Sequence, residues 1–138
     1  MMGREPAARD VVEVVAGLIR DERGRYLITR RRQGTHLEGL WEFPGGKREP
    51  NETLQESLRR ELQEELGALF AVEGLVETVR WAYPEKTVML SFFHCRLEAG
   101  SVAPREGQQM EWVPPAELRR YRFPPADDVL LGRLQSAG

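Results

Sequence analysis

Three glutamates, Glu61, Glu64 and Glu65, stand at i, i+3 and i+4 within the segment ETLQESLRRELQEEL. On a helix this spacing gathers all three carboxylates on one face. Like charges so placed repel by roughly a few tenths of a kcal/mol per pair, so the cluster needs solvent, basic partners or a cation. One reading is a solvated helix face laced with arginine, in which Arg60 pairs with Glu56 and Glu64. The other is a hard divalent cation held by carboxylate oxygens, Mg²⁺ or Mn²⁺. Two histidines and one cysteine leave little for a softer metal.

The element that must carry these side chains is marked on both ends. The spacing predicts a helix from about Glu52 to Leu66, with Leu58, Leu62 and Leu66 as the apolar stripe that packs on a sheet. Asn51 or Thr53 can cap it, Thr53-x-x-Glu56 fits a capping box, and Gly67 follows the last turn. Ahead of it, Val11–Arg20 and Arg25–Arg31 read as strands around a turn at 21–24. Gln33–Leu40 reads as a loop, and Trp41–Phe43 as a short extended piece that stops at Pro44-Gly45-Gly46. Beyond the helix, strands are expected at Val76–Tyr83 and Thr87–Arg96, joined by a tight turn, then a loop over 97–109 and a short strand at Glu111–Val113. Helix signals follow at Pro114–Arg119 and Pro125–Leu134. The class is α/β in the α+β sense, with strands that are mostly sequence neighbours.

At 138 residues the chain has room for one domain, expected over 10–138 behind a flexible N-terminus at 1–9. A net charge of −2 argues against a nucleic-acid polymer as partner, but leaves open a small polyanion held locally. Cys95, the single cysteine, excludes an internal disulfide and a Cys-rich zinc site, and reads as a small buried hydrophobe. The apolar run Val14–Ile19 is too short to cross a membrane and no signal-peptide pattern precedes it, so the expected compartment is cytoplasmic.

From Gly46 the sequence GKREPNETLQESLRRELQEELGA resembles the Nudix hydrolase signature at Gly46, Glu52, Arg60, Glu61, Leu62, Glu64, Glu65 and Gly67. Ala68 departs from it, standing where a larger aliphatic residue is usual. VVAGLI, GLWEFPGGK and FPPAD further resemble the MutT-type branch, so the likeness spans about Val11 to Leu134. The resemblance implies a Nudix fold, a mixed β-sheet core sandwiched between helices. It also implies Mg²⁺-dependent cleavage of a nucleoside triphosphate to a monophosphate and pyrophosphate. The substrates expected are oxidised or modified nucleotides such as 8-oxo-dGTP, or cytosine-type triphosphates. A Nudix hydrolase of nucleoside diphosphate sugars such as ADP-ribose and a non-catalytic nucleotide-sensing module are the alternatives.

By position in the resembled motif, Glu61, Glu64 and Glu65 would ligate metal, with the Gly45 carbonyl completing the inner site. Arg60 would orient the carboxylates, and Glu52 would support the loop. Glu106 would be a further metal ligand or the base, or else a solvated loop residue. Arg31 would grip phosphate, pointing away from Arg30 and Arg32 if the strand continues, or all three would form a charged edge. Phe43 and Tyr83 would pack on the nucleobase or belong to the core. Asp127 would set base choice or cap the terminal helix, a task Asp128 could take instead. His36 and His94 read as structural. The expected assembly is a monomer or homodimer.

Overall fold

The computed structural model describes residues 11–137; the flexible tail expected at 1–9 lies outside them. β1 (Val11–Ile19) runs parallel to β6 (Thr87–Ala99) on one side and antiparallel to β4 (Gly45–Lys47) on the other. β5 (Leu69–Ala82) pairs antiparallel with β6, giving a four-stranded sheet in the order β4-β1-β6-β5. A second sheet places β2 (Tyr26–Arg30) between β3 (Trp41–Glu42) and β7 (Met110–Val113), all antiparallel. The helices are α1 (Leu54–Leu66) and α2 (Asp128–Ala137).

Period-two alternation sends neighbouring side chains to opposite faces, and here both faces are covered. Val15 and Ile19 of β1, Leu27 of β2 and Phe93 of β6 join the α1 stripe of Leu58, Leu62 and Leu66. Their neighbours Ala16, Leu18, Tyr26, Ile28 and Phe92 instead meet Leu130, Leu131 and Leu134 of α2. Strands with no polar face therefore read as continuous apolar runs. The mixed-sheet core between helices is the architecture expected.

Several boundaries differ from the sequence expectation. Gly45-Gly46 do not end the extended piece but begin β4, because Val15 and Ala16 pair with them across the sheet. β5 starts seven residues earlier than Val76, at Leu69, and β6 continues to Ala99. Register shifts between Val72 and Leu75 and between Leu75 and Glu77 break the alternation that would announce this strand. Both C-terminal helix signals begin as 3₁₀ turns, at Pro115–Arg120 and Pro125–Asp127, and only the second passes into an α-helix. Thr53 caps α1 and closes the capping box with Glu56, while Asn51 takes a left-handed turn at φ 70°.

Candidate active site

α1 presents its acidic face to β4, and two glycines set how closely they meet. A Cβ on Gly45 would overlap the Val15 carbonyl in β1, whereas one on Gly46 would overlap the Glu61 carboxylate. Close approach lets the Gly45 N–H donate to Glu65 Oε2 at 3.2 Å. At the helix end Gly67 adopts φ 69°, and the loop over 100–109 docks back on the last turn. Ala103 N–H donates to Leu66 O at 3.0 Å, and Arg105 N–H to Glu65 O at 2.9 Å. Gln108 Nε2 donates to the same carbonyl at 3.3 Å while its Oε1 accepts from Glu106 N–H. This docking carries Glu106 to the acidic pocket, across from α1.

The pocket measures about 210 Å³, and Glu42, Glu61, Glu65 and Glu106 all line it. Burial, then the charges of Glu42, Glu61 and Glu106, pushes Glu65 up to about 9. Burial also raises Glu61, against the pull of Arg60. Arg60 sits between carboxylates, 2.7 Å from Glu52, 3.1 Å from Glu61 and 3.4 Å from Glu64. Hydrogen bonds from Arg60 hold Glu52 down at about 2. Glu56, expected as an Arg60 partner, is engaged in the capping box instead. Glu64 is exposed and does not line the pocket, unlike Glu61 and Glu65. Among the described residues no three acidic, histidine or cysteine side chains form a ready-made metal cage. Arg60 draws Glu61 and Glu64 towards itself through its hydrogen bonds.

A second cleft of about 310 Å³ adjoins the first, and Arg31, Glu42 and Gly45 line both. Its walls are largely apolar, with Val14, Ala16, Leu90 and Phe92 among them. Phe43 reaches this cleft and is also core, 3% exposed, packed edge-on against Tyr26 and Phe92. Tyr83 also lines it, its ring edge-to-face with His36 at 5.3 Å. His36 thus lines the cleft beside Tyr83, while His94 is exposed on β6. Asp127 is 4% exposed and faces the cleft; burial, then the Glu42 charge, pushes it up to about 7. Asp128 pairs with Arg119 at 2.7 Å. Cys95 is buried, and burial pushes its thiol up to about 12.

β2 ends at Arg30, so the strict strand alternation expected for the three arginines does not apply. Arg31 turns to the Glu42 carboxylate, Nη1 to Oε1 at 2.8 Å, and its Nε donates to the His36 carbonyl. Glu42 is the residue that sequence reasoning missed. It lies where the two pockets meet, and its charge is felt at both Glu65 and Asp127. Its only sequence signal is a carboxylate between two aromatics, Trp41 and Phe43.

Comparison with known proteins agrees with this geometry. The NUDIX domain model matches residues 15–133. An 8-oxo-dGTP diphosphatase of Haemophilus influenzae is 36% identical over 126 residues, covering 91% of this chain and 93% of that one. A CTP pyrophosphohydrolase of Escherichia coli is 36% identical over 121 residues, covering 88% and 89%. The crystal structure of a MutT protein from Methanosarcina mazei Go1 superposes with a TM-score of 0.81 at 27% identity, covering 93% and 95%. A signature helix with its carboxylates turned onto a glycine-lined strand, matched across nearly the whole domain, makes this chain a member of the Nudix hydrolase family.

Proposed function

We propose that the chain is a Mg²⁺-dependent pyrophosphohydrolase of nucleoside triphosphates, taking one water and releasing a nucleoside monophosphate and pyrophosphate. The observation that supports this most is the shared wall of Arg31, Glu42 and Gly45 between an apolar, aromatic cleft and an acidic pocket. A nucleotide has the same division, a flat base at one end and phosphates at the other. The relatives named for 8-oxo-dGTP and CTP hydrolysis support the same class.

The donor set fits a hard cation. Glu65 is buried among three further carboxylates and holds its proton to about 9, which marks a site short of positive charge. The residues assigned to hold the ion are the Gly45 carbonyl, Glu61 and Glu65, with Glu106 from the facing loop and Glu64 from the rim. Bound Mg²⁺, or Mn²⁺ in its place, supplies charge neutralisation and acidifies water. The remaining work falls to the chain's own side chains. Arg60 holds Glu61 and Glu64 in place through its shared hydrogen bonds. Arg31, already oriented by Glu42 and the His36 carbonyl, offers its free N–H groups to phosphate oxygens as a fork. Phe43 and Tyr83 flank the base, and Asp127 reads its polar edge. A substrate drawn from the nucleotide pool is consistent with a cytoplasmic enzyme.

A product assay over normal and oxidised triphosphates and ADP-ribose tests this reading. Stoichiometric pyrophosphate and monophosphate, appearing only with divalent metal, is the expected result. Release of a sugar phosphate, or turnover in chelator, overturns it.

A further inference from the structure

A third pocket, about 440 Å³, opens beside the acidic one, and the two share Arg30, Arg31, Arg32 and Gln108. Their charges differ. Four carboxylates line the acidic pocket against three arginines, whereas Glu38 is the one carboxylate on the lining of the third. Glu38 Oε1 already accepts the Gly34 N–H at 3.0 Å.

The arginines are held in different ways. Arg31 is ion-paired with Glu42. Arg30 donates only to neutral acceptors, from Nε to Gly39 O and from Nη1 to Gln109 Oε1, both at 3.0 Å. Arg32 Nη1 donates to Glu106 O at 2.9 Å. Among the described residues neither guanidinium meets a carboxylate, so both keep an uncompensated positive charge. Neutral acceptors fix their direction while most of their five N–H donors stay open. Planar forks already in place suit an anion with oxygens on two adjacent phosphorus centres.

The three pockets also have an order. Arg31 lines all of them, with the apolar cleft on one side and the basic groove on the other. We propose that the Arg30–Arg32 groove is a pyrophosphate site, which receives the terminal phosphates of the substrate and then holds the pyrophosphate product. This assignment rests on the triphosphate reading above. It gives the two adjoining arginines a role separate from that of Arg31: they retain one product while the cleft retains the other.

Direct binding tests it without turnover. Inorganic pyrophosphate and a nucleoside monophosphate are each titrated calorimetrically into the full chain with Mg²⁺, for wild type and Arg30→Gln/Arg32→Gln. Melting temperatures check folding, and the two single variants stand in if the double variant does not fold. The expected result is pyrophosphate affinity about 30-fold weaker in the double variant, and at least about fivefold in each single, with monophosphate affinity within about threefold. Pyrophosphate affinity unchanged, or both products weakened alike, overturns the proposal. So does a structural role of Arg32 through the Glu106 carbonyl, which would lower turnover and leave the ratio of product affinities fixed. A chain that binds pyrophosphate through these arginines yet cleaves no triphosphate refutes only the proposed reaction. One that cleaves triphosphates but ignores the substitutions refutes only the groove.

Discussion

On the proposed reading Asp127 meets the base edge, and its charge state then decides which edge it can meet. Ionised, it only accepts hydrogen bonds; protonated, it both donates and accepts. Burial and the Glu42 charge push it up to about 7, so both forms are populated near neutrality. Below that point the acid can donate to a carbonyl edge such as guanine O6 while accepting from a ring N–H. Above it the carboxylate suits an amino edge such as cytosine N4. The ratio of kcat/KM for guanine-type over cytosine-type triphosphates should therefore fall about tenfold as pH rises from about 6 to 8. Asp127→Asn should make that ratio flat with pH and leave metal dependence alone. A wild-type ratio that ignores pH would place base reading elsewhere. Glu42 gives an independent handle, because removing its charge lowers the Asp127 midpoint and loosens Arg31. Glu42→Gln should move the pH transition downward and reduce kcat/KM by roughly tenfold, mostly through KM. Glu42 was illegible in the sequence because its importance comes from Arg31, eleven residues away, and from two pockets assembled by separate elements.

At the scale of elements, α1 and β4 form one device and their glycines are not equivalent. Gly45 faces backbone, since a Cβ there would strike the Val15 carbonyl, which cannot move without parting β4 from β1. Gly46 faces only the far end of the flexible Glu61 side chain. Gly45→Ala should destabilise the fold by about 2 kcal/mol or more, measured by denaturant unfolding. Gly46→Ala should keep stability within about 1 kcal/mol yet weaken Mg²⁺-dependent turnover by roughly 100-fold, because Glu61 must swing away. Equal effects of the two substitutions would contradict this division. The same pair marks the limit of what could be read from sequence. α1 was legible because its cap, its leucine stripe and Gly67 are all local signals, and the structure confirms each. β4 was not, because Gly-Gly-Lys has no strand preference of its own and is extended only by pairing with β1. The start of β5 escaped for a related reason: register shifts on either side of Leu75 put Glu73 and Gly74 where alternation should have continued.

The molecule as a whole carries a charge imbalance that its core must tolerate. Two apolar layers hold the sheets between α1 and α2, and the same packing that buries Leu62 and Leu66 buries Glu65 beside them, 8% exposed. A carboxylate there, near Glu42, Glu61 and Glu106, opposes folding unless a proton or a cation compensates it. The sign follows from the two states. Unfolded, Glu65 releases its proton near the ordinary value of 4.5; folded, it holds it to about 9. The folded state thus binds the extra proton between those values, so metal-free stability should fall as pH rises from about 5 to 9. On the proposed reading Mg²⁺ would bind only the folded site, and it should then restore the loss, raising the melting temperature by several °C at about pH 8. Glu65→Gln removes both the buried charge and the ligand. The metal-free variant should melt higher than metal-free wild type at about pH 8, gain little from Mg²⁺, and lose about three orders of magnitude in kcat. Stability gained together with activity lost separates a site tuned for a cation from a glutamate that merely holds the fold. If Glu65→Gln melts lower than wild type in chelator, or still gains the full increment from Mg²⁺, Glu65 is not where the cation is held.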